Sequence, residues 1–265
     1  MPTPTWSAPE VQPVDSLRLG CVRYLNALPL IHGWPGPVRF DHPSALCREL
    51  AAGQLDVALV SSFEYLRNPV YSVVDRVAIA SRGPVYSVVL AYLDAVEALQ
   101  EIVVDPASAT SVNLLRCLLG ERAVPARFVS GGHLSRTRGR LLIGDQAIRF
   151  REEANEQVQF LDLGAAWTDR VGLPFVYALW LIQPDFPGAK EVANALRSLA
   201  RQNLENLSAL IAKQPQSQRS FCELYFRKCL RFAFEEEEKQ GFQKFAELCE
   251  KQGVLPVIPA APRLA

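Results

Sequence analysis

Residues Gly53–Arg67 read GQLDVALVSSFEYLR. Inside this stretch Val57-Ala58-Leu59-Val60 is apolar at every position rather than at every second one. A strand with two apolar faces is covered on both sides, as in a parallel sheet flanked by helices. The run stops at Ser61-Ser62 and passes into FEYLRN, a helical segment. In open α/β sheets, ligands settle beyond the carboxyl ends of the strands. An apolar strand that ends in two hydroxyls therefore reads as part of a site as well as part of a fold.

Outward from this block the same grammar repeats. Upstream, LRLGCV is a strand closing on Tyr24-Leu25-Asn26, followed by a short helix in ALPLIHGW, the strand VRFDHP and the helix ALCRELAA, which Ser44 is placed to cap. Downstream, YSVVDRVAIAS and VYSVVLAYL are long β-rich segments joined through Ser81, Gly83 and Ser87, and they are the natural passage between two lobes. A fresh cycle then begins: strand EIVVD, the ending Ser108-Ala109-Thr110-Ser111, helix TSVNLLRCLLGE, strand ARFVS, strand LLIGDQAIRF with Gly144-Asp145 inside it, and VQFLDLG before AAWTDRVG. FVYALWLIQ returns the chain to the first unit. From Gly188 onward the pattern is helical, with Glu235 to Glu238 near a helix start where the dipole favours negative charge and solvent covers them. The predicted organisation is a proline-rich leader over 1–16, a first α/β lobe built from 17–94 and 176–265, and a second α/β lobe over 95–175.

Composition narrows the function. Twenty-eight basic and 28 acidic residues cancel, without a basic block long enough to follow a phosphate backbone, which disfavours nucleic acid as a partner and favours a small organic ligand. Residues 1–16 lack a cationic segment followed by an apolar one, so the expected location is the cytoplasm. The apolar stretch Leu173–Ile182 is shorter than the ~20 residues of a membrane span. The six cysteines show no CxxC pairing and read as reduced core thiols, and the three histidines have no metal-ligand spacing, so no metal is expected. GxGxxG, GxxxxGK[ST] and GxSxG are all missing, which leaves cofactor-free chemistry or simple binding. The sequence sets no oligomeric state.

Each strand ending has two local readings. Thr110 and Ser111 either cap their own helix or, with its free N–H groups, bind a carboxylate. Ser61 forms a capping box with Glu64, or Ser61 and Ser62 face a ligand. Asn26 is a turn former or an amide at the crevice. Asp145, after the permissive Gly144, orients a ligand hydroxyl, receives a proton or caps a turn. Ser87 lies in a β-rich segment where capping does not explain it and a buried hydroxyl needs a partner. Arg23 and Arg82 are the nearest cations, either exposed or paired with a carboxylate ligand.

Taken in order, VRYLNALPL, GQLDVALVSSFEYLR, IASRGPVYSVVL, SATSVNLLRCLL, LLIGDQAI, DLGAAWTDRVGLPFVYALW and the helical tail resemble the MqnA family, the chorismate dehydratases of the futalosine route to menaquinone. The resemblance runs from about Leu17 to Leu255. It implies the fold of type II periplasmic binding proteins: two α/β lobes, a crossover hinge, a central ligand cleft and C-terminal helices. It also implies the loss of water from chorismate to give 3-[(1-carboxyvinyl)oxy]benzoate. By motif, Asn26 and Ser87 become the residues at the reacting carbons, and Ser61, Ser62, Ser108, Thr110, Ser111, Gly144 and Asp145 the substrate-binding set, with Thr110 and Ser111 on a carboxylate. The base is either an acidic side chain or the substrate's own enolpyruvyl carboxylate, and we favour the latter. Gln146 departs from the family, which often has an acidic residue there. Two other readings stay open: a solute-binding protein for a small carboxylate on the same fold, and the sibling enzyme acting on cyclic dehypoxanthine futalosine, for which His133 in SGGHLS would be the candidate base.

Overall fold

The computed structural model describes residues 17–105, 108–121 and 124–265; the expected leader, 1–16, lies outside them. The chain begins with β1 (Leu19–Val22), a 3-10 turn at Leu25–Ala27, α1 (Leu28–Ile31), β2 (Val38–Asp41), α2 (Pro43–Ala51), β3 (Val57–Ser61), α3 (Ser62–Arg67) and β4 (Ser72–Ser81). There follow β5 (Val88–Tyr92), β6 (Glu101–Val103), α4 (Ala109–Glu121), β7 (Arg127–Val129), β8 (Arg138–Ile143), α5 (Gly144–Glu153), β9 (Gln159–Asp162) and α6 (Leu163–Val171). After β10 (Phe175–Ile182) come α7 (Ala189–Glu205), α8 (Leu207–Ala212), α9 (Arg219–Leu224), a π-helical turn at Tyr225–Cys229, α10 (Glu236–Lys251) and the short β11 (Arg263–Leu264).

These strands form two sheets, ordered β11-β4-β10-β3-β1-β2 and β7-β6-β8-β5-β9. The β3 segment that announced the fold is buried at all five positions and pairs in parallel with β1. β5 runs antiparallel to β8 and β9, and β10 antiparallel to β3 and β4. The reason is directional. A chain that arrives from the other sheet enters at the cleft, where the parallel strands end, and must run away from it.

Three local expectations change. The chain leaves the first sheet between Ser81 and Val88, so Val88–Tyr92 belongs to the second sheet rather than to the first lobe as the boundary at 94 had it. LLIGDQAIRF is not one strand, because helix α5 starts at Gly144, whose φ of 57° turns the backbone out of β8. α2 begins at Pro43 with His42 as its N-cap, so Ser44 caps nothing; a proline suits the first helical position, where an N–H would be unpaired. Glu238 is another correction. It is fully buried, closes a capping box with Glu235 and pairs with Arg231 at 2.8 Å, while Glu236 and Glu237 stay in the solvated first turn.

Trp167 of α6, Phe175 of β10 and Phe245 of α10 pack edge to face, 4.9–6.2 Å apart, and tie the second crossing to the C-terminal helices. No described helix is long and apolar enough to cross a membrane. All six cysteines are unbridged, and five of them are buried. Burial pushes the Cys21 and Cys47 thiols up to about 12. A disulfide reagent at pH 8 should therefore label at most Cys229 quickly in the native protein and all six thiols after denaturation. Rapid native labelling of several thiols would contradict this packing.

Candidate active site

Five strand endings from both sheets meet in one cleft. Asn26 follows β1, Ser61 ends β3, Ser87 precedes β5, Ser108, Thr110 and Ser111 open α4, and Gly144 opens α5. All seven line a cavity whose empty space, including the part open to solvent, is about 590 Å³. Val22, Val60, Ile79, Val85, Val88 and Ile143 supply its apolar walls. The result is a largely apolar cavity with hydroxyls and an amide in its lining.

The lobes touch directly at this cleft. The Phe63 N–H near the start of α3 donates to Thr110 Oγ1 at 3.0 Å, and the Thr110 N–H donates to Ser61 Oγ at 3.2 Å. The Ser61 and Thr110 hydroxyls also share a hydrogen bond. The predicted Ser61–Glu64 capping box is not formed: Ser61 makes no cap bond, and Glu64 instead pairs with Arg67. Thr110 of the second lobe thus satisfies an N–H of a first-lobe helix. Ser62 lies behind the wall, its hydroxyl donating to the Val176 carbonyl at 2.7 Å. On the outer side, Asp145 Oδ1 accepts from the Leu25 N–H at 2.9 Å, across the lobes. Burial raises the Asp145 carboxyl above its usual range, partly offset by that N–H and by Arg149. Its side chain borders an outer hollow with Arg23 and Arg149, while the inner cavity is lined by Ile143 and Gly144 but not by Asp145. Arg82 is bound to Glu237 at 2.7 Å, and Arg23 sits over the Phe40 ring at 5.7 Å. Neither arginine lines the cavity.

Behind the cavity lies a clamp that the sequence reading missed. Asp162, at the end of β9, caps α6 by accepting from the N–H groups of Gly164 and Ala165 at 3.0 and 3.1 Å. The same carboxylate accepts from Val85 and Tyr86 at 3.0 and 2.8 Å, on the other sheet crossing. Tyr86 has a φ of 67°, a costly conformation for a side chain with a Cβ. Arg151 helps hold it, donating to the Tyr86 carbonyl at 3.1 Å and stacking over its ring at 4.1 Å. The next residue is Ser87. The two crossings approach so closely that a Cβ on Gly164 would lie 2.6 Å from the Gly83 carbonyl oxygen. An aspartate just before a Gly-Ala helix start is a readable N-cap, but nothing local reveals its second set of partners.

Three tyrosines join the site: Tyr24, part of the first strand ending, and Tyr177, which the sequence did not single out, line the cavity, and Tyr225, likewise not singled out, stands behind Ser87. Burial pushes Tyr24 up to about 12, helped by Asp105 and Asp145, and raises Tyr177 and Tyr225 further. All three are therefore protonated at neutral pH and act as hydrogen-bonding groups, not bases. Among the described residues lining the cavity there is no carboxylate, imidazole, amine or guanidinium.

Comparison with known proteins agrees with this architecture. A family model described as menaquinone biosynthesis matches residues 17–251. A chorismate dehydratase from Thermus thermophilus is 33% identical over 256 residues, covering 86% of this chain and 93% of that protein. Among solved structures, a protein from Archaeoglobus fulgidus superposes with a TM-score of 0.65 at 18% identity, covering 90% of this chain and 98% of its own. The alkanesulfonate-binding protein SsuA from Xanthomonas axonopodis does so with a TM-score of 0.62 at 14% identity, covering 96% and 99%. The structural likenesses establish a periplasmic-binding-protein-like fold, and the extent of the family match establishes kinship: the chain belongs to the menaquinone biosynthesis family.

Proposed function

We propose that this protein is a chorismate dehydratase, forming 3-[(1-carboxyvinyl)oxy]benzoate in menaquinone biosynthesis. The observation that carries the reading is the similarity to a chorismate dehydratase over 86% of the chain, joined to an apolar cavity lined by hydroxyls and an amide from both sheets. The reaction removes the ring proton beside the enolpyruvyl ether, spreads the electron pair toward the ring carboxylate, and then expels the neighbouring hydroxyl, which leaves as water. Aromatisation drives it, so the protein's task is alignment and charge stabilisation.

Ser108 and Ser111, at the positive end of the 13-residue α4, receive the ring carboxylate. The Thr110 hydroxyl is engaged between the lobes, so its part is to hold α4 against α3. Asn26 and Ser87 face the reacting carbons. Among the described lining residues the polar side chains are hydroxyls, an amide and protonated phenols, and the enolpyruvyl carboxylate of the substrate takes the proton.

Purified protein should convert chorismate to an aromatic acid lighter by one water, and should leave cyclic dehypoxanthine futalosine unchanged. His133 is exposed in its Gly-Gly loop, away from the cavity, so His133→Ala should retain wild-type turnover. Turnover of the futalosine derivative, or a collapse of activity in His133→Ala, would refute the assignment.

A further inference from the structure

We propose that Tyr225 is a positioning residue that fixes the direction of the Ser87 hydroxyl, so that Ser87 and Asn26 together cradle the hydroxyl that leaves. This rests on the dehydratase reading above. Tyr225 opens the π-helical turn Tyr225–Cys229, and π turns inside helices recur where a side chain must be aimed at a site. Its ring is fully buried and stacked on Phe221 at 5.3 Å, so its phenol has few available partners. The phenol donates to Ser87 Oγ at 2.6 Å.

The direction of that bond decides where the Ser87 hydrogen goes. Ser87 Oγ already accepts from Tyr225, so its own hydrogen is directed elsewhere, and Ser87 lines the cavity. Asn26 Oδ1 is buried without a protein partner. The cavity lining therefore offers an O–H donor from Ser87 and a C=O acceptor from Asn26. A hydroxyl is the ligand group that answers both: its hydrogen goes to Asn26 Oδ1 and its oxygen receives the Ser87 hydrogen. Of chorismate's oxygens, only the ring hydroxyl has a hydrogen to give at neutral pH. As the C–O bond breaks, negative charge grows on that oxygen and the Ser87 donor strengthens.

Tyr225→Phe keeps the stacked ring and removes only the phenol oxygen. Its kcat for chorismate should fall about 10- to 100-fold while KM stays within about threefold, because the loss is felt mainly as the leaving charge develops. In a Ser87→Ala background the same substitution should cost less than about fivefold, since two residues acting as one unit are not additive. Wild-type kcat in Tyr225→Phe, or equal losses with and without Ser87, would overturn the proposal. If the single variant unfolds and the double variant folds, the coupling is shown through stability instead; if both unfold, Tyr225 is a packing residue and the proposal fails. Wild-type protein that leaves chorismate intact would overturn the dehydratase reading and this assignment with it, a result separable from a defect confined to the variants.

Discussion

Asp162→Ala should lower the unfolding free energy by about 2–4 kcal/mol and reduce turnover together with it. Removing the carboxylate takes away the α6 cap, worth about 1 kcal/mol, and strands the N–H groups of Val85 and Tyr86. The unusual backbone of Tyr86 then loses its N–H partner and keeps the Arg151 bond to its carbonyl and the ring contact with Phe221, and Ser87 follows its neighbour. Asp162→Asn should do less harm. Its single oxygen can still accept from Val85, Gly164 and Ala165, which all use Oδ1, while its NH2 opposes the Tyr86 N–H. Urea unfolding followed by circular dichroism measures the difference. An Asp162→Ala variant with wild-type stability and turnover would show that the crossings hold themselves.

Ser87→Ala should leave the fold intact and lower kcat about 10²–10³-fold, the cost of deleting one donor aimed at developing charge. The backbone of residue 87 is unaffected: its carbonyl still accepts from the Gly144 N–H at 2.8 Å, and its N–H still reaches the Val85 carbonyl. Chorismate affinity should change little, because in the ground state the hydroxyl can still give its hydrogen to Asn26. A large rise in KM with kcat preserved would instead make Ser87 a binding group, away from the bond that breaks.

The architecture was legible in the sequence because β3 and β10 are apolar on both faces, and a strand of that kind requires layers above and below it. The strand endings were legible because hydroxyls and amides that follow such strands mark the cleft. Which sheet a strand joins was not. VYSVVLAYL has the same pattern in either lobe, and only its pairing with β8 and β9 assigns it. Ser61 followed by Glu64 has the spacing of a capping box, yet Thr110, 49 residues away, takes Ser61 first. Tyr177 and Tyr225 were hidden within apolar runs, where a phenol looks like any other core ring. The cleft side chains could be named one by one, but the groups that hold them in place come from distant segments whose approach only the folded chain displays.

The most direct measurement is a single turnover with protein in excess over chorismate, followed by mass spectrometry at short intervals. The expected result is complete conversion to an aromatic acid that has lost one water and kept its enolpyruvyl group. Chorismate recovered unchanged while saturably bound, or a product that has lost pyruvate, would contradict a dehydratase built on this cleft.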